Sequence, residues 1–208
     1  MKTKATAAAR PGRPKSDQKR RAILAASARL FLHAGYKDTS MDEVAAAAGV
    51  SKQTVYSHFD TKEMLLRACV EDKVREHGLR ADDMPHGKPL REALGQVGRQ
   101  FVDLLNDDDV VCMYRLLISE CVAHPSLAQA FFETGPKATC DVLTDFLLAN
   151  DIPSGRFGDA THAAELFFIM LEHVHFMQRI LNLRGAMSAP ERTEHVDRVV
   201  AQFLKLYS

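Results

Sequence analysis

Apolar residues along this chain recur at steps of three and four, the period of an amphipathic helix, and nowhere in the alternation that would predict a strand. Ile23, Ala26, Leu30 and Phe31 make the first such face. Gly35 then reads as a left-handed C-cap, with Tyr36 packing back on the helix it closes. Ser40 and Glu43 stand three apart ahead of an alanine-rich run, the spacing of a capping box, which predicts a helix start there. Gly49 ends that helix after about three turns, and Ser51 is a natural N-cap for the next. Asp60 and Glu63 predict a fourth start.

The stretch from His77 to Pro89 holds two glycines and two prolines with few apolar residues, and reads as a linker. Beyond it Leu90, Leu94, Val97, Phe101 and Leu105 form one stripe. Asp109 is placed to cap the helix that stops before His124-Pro125. A short segment follows, then a helix opened by Pro136 at its first position and running to about Asn150. "IPSGRFGD" reads as a loop, and two more helices are expected over 159–184 and 190–206. The expected fold is all-α, a small three-helix unit joined to a larger helical bundle, about nine helices in all.

Formal charge sums to zero over 208 residues, but its distribution is lopsided. Residues 1–80 hold 16 of the 27 Lys and Arg and 9 of the 27 Asp and Glu; residues 81–208 hold the other 11 and 18. A basic first part, most concentrated in "MKTKATAAARPGRPKSDQKRR", points to a polyanionic partner there. The four cysteines lie in no Cys-x-x-Cys pair, and Cys112 and Cys121, on one helix, would be roughly 13 Å apart, too far for a disulfide. Reduced thiols are expected. The first residues lack an apolar signal-peptide core, and the longest apolar run, Leu166 to Leu171, is too short for a bilayer. A soluble cytoplasmic protein without a membrane partner is the expectation.

The helix after Gly49 carries an unusual outward face. Val50, Val55 and Phe59 turn inward toward Val44, Ala45 and Ala48, leaving Lys52, Gln53, Thr54, Tyr56, Ser57 and His58 outside. Two short helices joined through Gly49-Val50-Ser51 and braced by a longer one form a helix-turn-helix. Side chains of this kind donate to phosphates and reach base edges in a major groove. For Thr54 and Ser51, local capping competes with that use.

The segment "AILAASARLFLHAGYKDTSMDEVAAAAGVSKQTVYSHFDTKEMLL" resembles the DNA-binding domain of the TetR/AcrR family of bacterial transcriptional regulators. Phe31, Gly35, Tyr36, Thr39-Ser40, Val44-Ala45, Gly49-Val50-Ser51, Val55-Tyr56, His58-Phe59, Lys62 and Leu65-Leu66 carry the likeness. It implies base and phosphate contacts from Gln53, Thr54, Tyr56 and His58, with Lys52, Ser51 and the variable position Ser57 beside them. Lys62 matches a phosphate-binding lysine, and Ser40 a residue that meets the DNA backbone. "RPGRPK", with Arg10 and Arg13, reads as an extended basic arm suited to a minor groove or as a solubilising tail. The expected division is an arm over 1–16, the helix-turn-helix domain over 17–63, and an effector-binding and dimerisation domain over 64–208.

In the resembled family the second half binds a small effector and forms a homodimer, so that two recognition helices meet a palindromic operator on double-stranded DNA. The apolar run Leu166 to Leu171 and the final helix, through Val196, Val199, Val200, Phe203 and Leu204, are expected to build the dimer together. Phe101, Met113, Phe132, Phe168, His175 and Phe176 are the candidate lining of a pocket for a hydrophobic effector, each also readable as ordinary core. His162, Glu172, His173 and His175 do not make a metal site, because His173 and His175 point to different sides of a helix. No cofactor is implied, and the chain lacks the glycine-rich and metal-binding signatures of an enzyme. The alternative to an effector-released repressor is a ligand-independent or architectural DNA binder of the same fold.

Overall fold

The computed structural model describes residues 13–150 and 159–207, without the side chains of residues 13–15 and of His173; Arg10 lies outside it. Among the described residues there are ten α-helices and no strand. They are α1 (Arg13–Asp38), α2 (Met41–Ala48), α3 (Lys52–His58), α4 (Lys62–Glu76), α5 (Leu90–Asn106), α6 (Asp108–Glu120), α7 (Pro125–Phe132), α8 (Ala138–Ala149), α9 (Ala160–Ile180) and α10 (Ala189–Leu206). The tenth is α7, the short segment opened by Pro125 at its first turn.

The caps explain the boundaries. Ser40 and Glu43 exchange both hydrogen bonds of a capping box, 3.2 Å from Glu43 N to the Ser40 hydroxyl and 2.8 Å from Ser40 N to the Glu43 carboxylate. Gly49 sits at φ 66, ψ 33, the left-handed conformation that ends α2 and starts the turn into α3. At Gly35 the expected left-handed cap is instead a kink at φ 86, ψ 166, and one further turn carries α1 on to Asp38. Arg13, Pro14 and Lys15 begin α1 rather than an extended arm, which is compatible with a proline in a first turn.

Three other starts differ from the expectation. Asp107, not Asp109, caps α6 by accepting from Asp109 N at 2.8 Å. Thr61, not Asp60, caps α4. Pro136 does not open a helix: it lies inside a π-helical turn, Glu133–Lys137, that joins α7 to α8 without a break. Proline has no amide hydrogen to give, and widening the turn accommodates the missing bond.

Two large cores hold the molecule, beside a small third cluster of Leu105, Val111 and Phe176. One gathers Ile23, Phe31, Val44, Val55, Phe59 and Leu65 from α1 to α4, and it continues into Met113, Leu117 and Leu127 of α6 and α7. The other unites α5, α8, α9 and α10 through residues such as Leu94, Leu143, Phe167 and Phe203. The first three helices therefore share their core with the bundle instead of hanging from a linker. The expected linker packs on the bundle through buried Leu79 and Met84, with a 3-10 turn over Ala81–Asp83 between them.

Candidate nucleic-acid interface and cavity

Helix α3 turns Val55 fully inward and Phe59 behind it, leaving Lys52, Gln53, Tyr56 and Ser57 exposed. Gln53 makes no hydrogen bond to the described residues, and the Tyr56 ring is 49% exposed, a large aromatic left on the surface. His58, half-buried, leans beside the Phe59 ring with centroids 6.2 Å apart. The other polar side chains of this face have local partners. Ser51 caps α3 by accepting from Thr54 N at 3.2 Å, and the Ser51 and Thr54 hydroxyls are 2.8 Å apart. Ser57 donates back to the Thr54 carbonyl at 2.8 Å, Lys52 pairs with Asp42, and the Ser40 hydroxyl meets Glu43 at 2.9 Å. Local capping thus accounts for Ser40 and Ser51. Gln53 and Tyr56 are the groups held outward with nothing local to hold them.

Lys62, expected to meet a phosphate, has partners within the protein in this structure. Its ammonium donates to three main-chain carbonyls, those of Tyr36 at 2.6 Å, Thr39 at 2.9 Å and Lys37 at 3.2 Å. It also stands 4.4 Å from the centre of the Tyr36 ring. An ammonium has three protons, so none is left for a phosphate. Burial pushes its pKa down, opposed by the charges of Asp38, Glu120 and Glu43. Lys62 closes the C-terminal end of α1, where a cation suits the exposed carbonyls and the helix dipole.

Behind this face lies a cavity of about 540 Å³. Phe101, Met113, Phe132 and Phe168, all named from the sequence, line it, with the Phe101 and Phe168 rings in tilted contact, 4.4 Å between centroids. Phe132 is 58% exposed and stands at the rim. His175 and Phe176 do not belong to it. Both are buried around a separate hollow of about 10 Å³, room for a water at most, and Phe176 packs with Leu105 and Val111. They face away because α9 turns them toward α5 and α6, a direction that periodicity along one helix cannot supply.

Several lining residues escaped the sequence reading. Ala28 and Leu32 come from α1, so the cavity has a wall from the helix-turn-helix unit itself. Tyr114 meets Phe131 and Phe176 edge-on at 5.0 and 4.9 Å, and its phenol is pushed up to about 12, first by burial and then by the charge of Glu172. From α9, Thr161, Glu165 and Glu172 join the expected Phe168, at steps of four, three and four that a helical wheel places on one side. Burial also raises the Glu172 carboxyl. At one end Lys73 ties α4 to the α5–α6 corner through Asp107 at 3.2 Å and Asp109 at 3.1 Å, with His77 3.3 Å from Asp107.

A trihelical unit presenting the outer side of a short helix, fused to a helical bundle around a cavity, is the architecture of a DNA-binding regulatory protein. Residues 92–208 match the family of AefR-like transcriptional repressors, C-terminal domain, and residues 23–69 match the bacterial regulatory proteins of the tetR family. The chain belongs to the TetR family of transcriptional regulators. It is 29% identical to the regulator YerO of Bacillus subtilis over 83% of this chain and 59% of YerO, so it spans about three fifths of that relative. To the repressor LfrR of Mycolicibacterium smegmatis it is 32% identical over 61% of this chain and 64% of LfrR. Among solved structures, a TetR-family regulator from Mesorhizobium loti superposes with a TM-score of 0.74 at 28% identity, covering 93% of this chain and 98% of the other. The flavonoid-responsive regulator FrrA superposes at 0.69 with 29% identity, over 91% and 97%. Among the described residues, no helix is long and apolar enough to cross a membrane.

Proposed function

We propose that this protein is a homodimeric repressor that holds a palindromic operator through α3 and releases it when a small hydrophobic effector fills the cavity. One observation carries the reading: Ala28 and Leu32 of α1 share a cavity with Phe101 of α5 and Phe168 of α9. An occupant therefore touches both the DNA-binding unit and the bundle. It binds more tightly to the arrangement that best encloses it, and that difference in affinity is what shifts a two-state equilibrium. Gln53 and Tyr56 are the proposed readers of DNA, with His58, Lys52, Thr54 and Ser57 beside them, Arg13 at the start of α1 and Arg10 in the segment before it.

The dimer follows from α9. Leu166 and Met170, half-buried, continue into Val174, Met177 and Leu181, which are 62%, 57% and 59% exposed, a stripe at steps of four and three. Of the final-helix residues expected beside it, Val196, Val199, Val200 and Phe203 are buried in the chain's own core and only Leu204 is half-buried, so the proposal takes α9 as the main contact. Leu148 of α8, 59% exposed, is the neighbouring apolar contribution. Two copies joined along α8 and α9 would set their α3 helices toward half-sites about 34–36 Å apart. The protein would act in the bacterial cytoplasm, at the nucleoid.

The test is to select bound fragments from genomic DNA, then screen compounds for thermal stabilisation and for operator release by fluorescence anisotropy. A compound that stabilises the protein should weaken operator binding. Stabilising compounds that leave operator affinity unchanged would sink the release mechanism. An entirely flat screen would favour the ligand-independent, architectural reading.

A further inference from the structure

The charges around the cavity do not cancel. Six charged side chains line it, Lys73 and Lys137 against Asp109, Asp141, Glu165 and Glu172. Both lysines are already held by carboxylates: Lys73 by Asp107, Asp109 and Glu76, and Lys137 by Asp141. Glu165 and Glu172 have no cationic partner among the described residues. They lie two turns apart on the α9 face that also supplies Phe168, roughly 10 Å along the axis. Around them are aromatic rings, Phe101, Tyr114, Phe131 and Phe132.

An anionic effector meets this wall badly, because each cation that would receive it is bound to a stronger local partner. A neutral apolar effector leaves two carboxylates against its surface. A cation satisfies them, and the ring faces attract it further. We propose that the cavity selects an amphipathic organic cation, its apolar body against the Phe101–Phe168 pair and its ammonium-type nitrogen against Glu172, with Glu165 as the second anionic contact. Partial burial raises the Glu172 carboxyl, and its charge adds to the burial that raises the Tyr114 phenol, as fits a carboxylate at the cavity wall beside that ring. The inference rests on the cavity being the effector site and adds the charge of what enters it.

Three probes with one ten-carbon chain separate these ideas: decyltrimethylammonium, decanol and decanoate, titrated below micelle formation by calorimetry into the full-length protein. The ammonium should bind about tenfold more tightly than the alcohol, and decanoate more weakly than either. Glu172→Gln should remove most of the ammonium's advantage without changing decanol binding, and Glu172→Gln combined with Glu165→Gln should erase it. Both substitutions conserve shape at exposed helix positions, and a thermal melt of each verifies folding. The proposal falls if decanol or decanoate binds the parent as tightly as the ammonium, which leaves the cavity as an effector site of another chemistry. It also falls if the double variant keeps the preference. If no probe binds at all, the effector-site reading fails together with it.

Discussion

The ammonium of Lys62 and the main chain of Tyr36 form a single joint: Nζ donates to the Tyr36 carbonyl at 2.6 Å and lies over the same residue's ring at 4.4 Å. That joint fastens the start of α4 to the end of α1, one residue beyond the kink at Gly35. Lys62→Met should leave three carbonyls without their donor and lower stability by about 1–3 kcal/mol, read as a lower midpoint in urea. A lysine that met a phosphate would behave otherwise, its loss flattening the salt dependence of DNA affinity by about one unit of slope. The expected outcome is a shifted unfolding midpoint with an unchanged salt slope. A slope reduced at constant stability would return Lys62 to the DNA.

Gln53 and Tyr56 are expected to show the reverse pattern. Neither packs into the core, so Gln53→Ala and Tyr56→Ala should melt like the parent. On a selected operator, loss of Gln53 should cost about 1–3 kcal/mol if it reads a base edge, and much less on random DNA. Anisotropy titrations on both DNAs measure the difference. Equal losses on the two would make Gln53 a backbone contact.

Much of this was legible in the chain because the signals are local. The Ser40–Glu43 box, the positive φ at Gly49 and the inward Val55 and Phe59 depend on neighbours within a few residues, and all stand as read. What was hidden depends on partners far along the chain. Lys62 finds carbonyls 23 to 26 residues away, and nothing in its local sequence distinguishes a lysine that caps a helix from one that meets DNA. The same holds for the cavity: Phe101 and Phe168 were identifiable as large and apolar, whereas Ala28 and Leu32 look like ordinary core until α1 is packed. Val196 and Phe203 show the converse error, because an apolar stripe does not say whether its own bundle or another copy covers it.

Asp107 gives the pH dependence a direction. Hydrogen bonding to His77 comes first among the causes that hold its carboxyl well below the usual range, followed by Lys73 and outweighing burial. The Lys73 ammonium is correspondingly raised, through Asp109 and Asp107. A carboxyl whose folded pKa lies below its unfolded value of about 3.9 contributes stability above that value and loses it as pH falls further. Stability should therefore drop below about pH 4, and Asp107→Asn should both lower the plateau and blunt the drop. Urea midpoints from pH 7 to pH 3 test this. An equally steep acid loss in Asp107→Asn would assign it to other carboxylates.

The exposed stripe on α9 makes the last expectation. Val174 and Met177 of α9 and Leu181 at its C-cap expose more than half of their surface along one line, an unfavourable arrangement in water unless something covers them. A second copy is the covering proposed above. Met177→Glu places a carboxylate in the middle of that stripe, where pairing across a two-fold axis would bring like charges together in a dry interface. Because Met177 contributes nothing to either core, the variant should keep its helical circular dichroism. Light scattering should then give the mass of one chain, where the parent gives two, and operator affinity should fall steeply because one α3 no longer brings its twin. A variant that remains a dimer moves the contact elsewhere on the molecule, since no pair of α9 helices tolerates that charge at its centre.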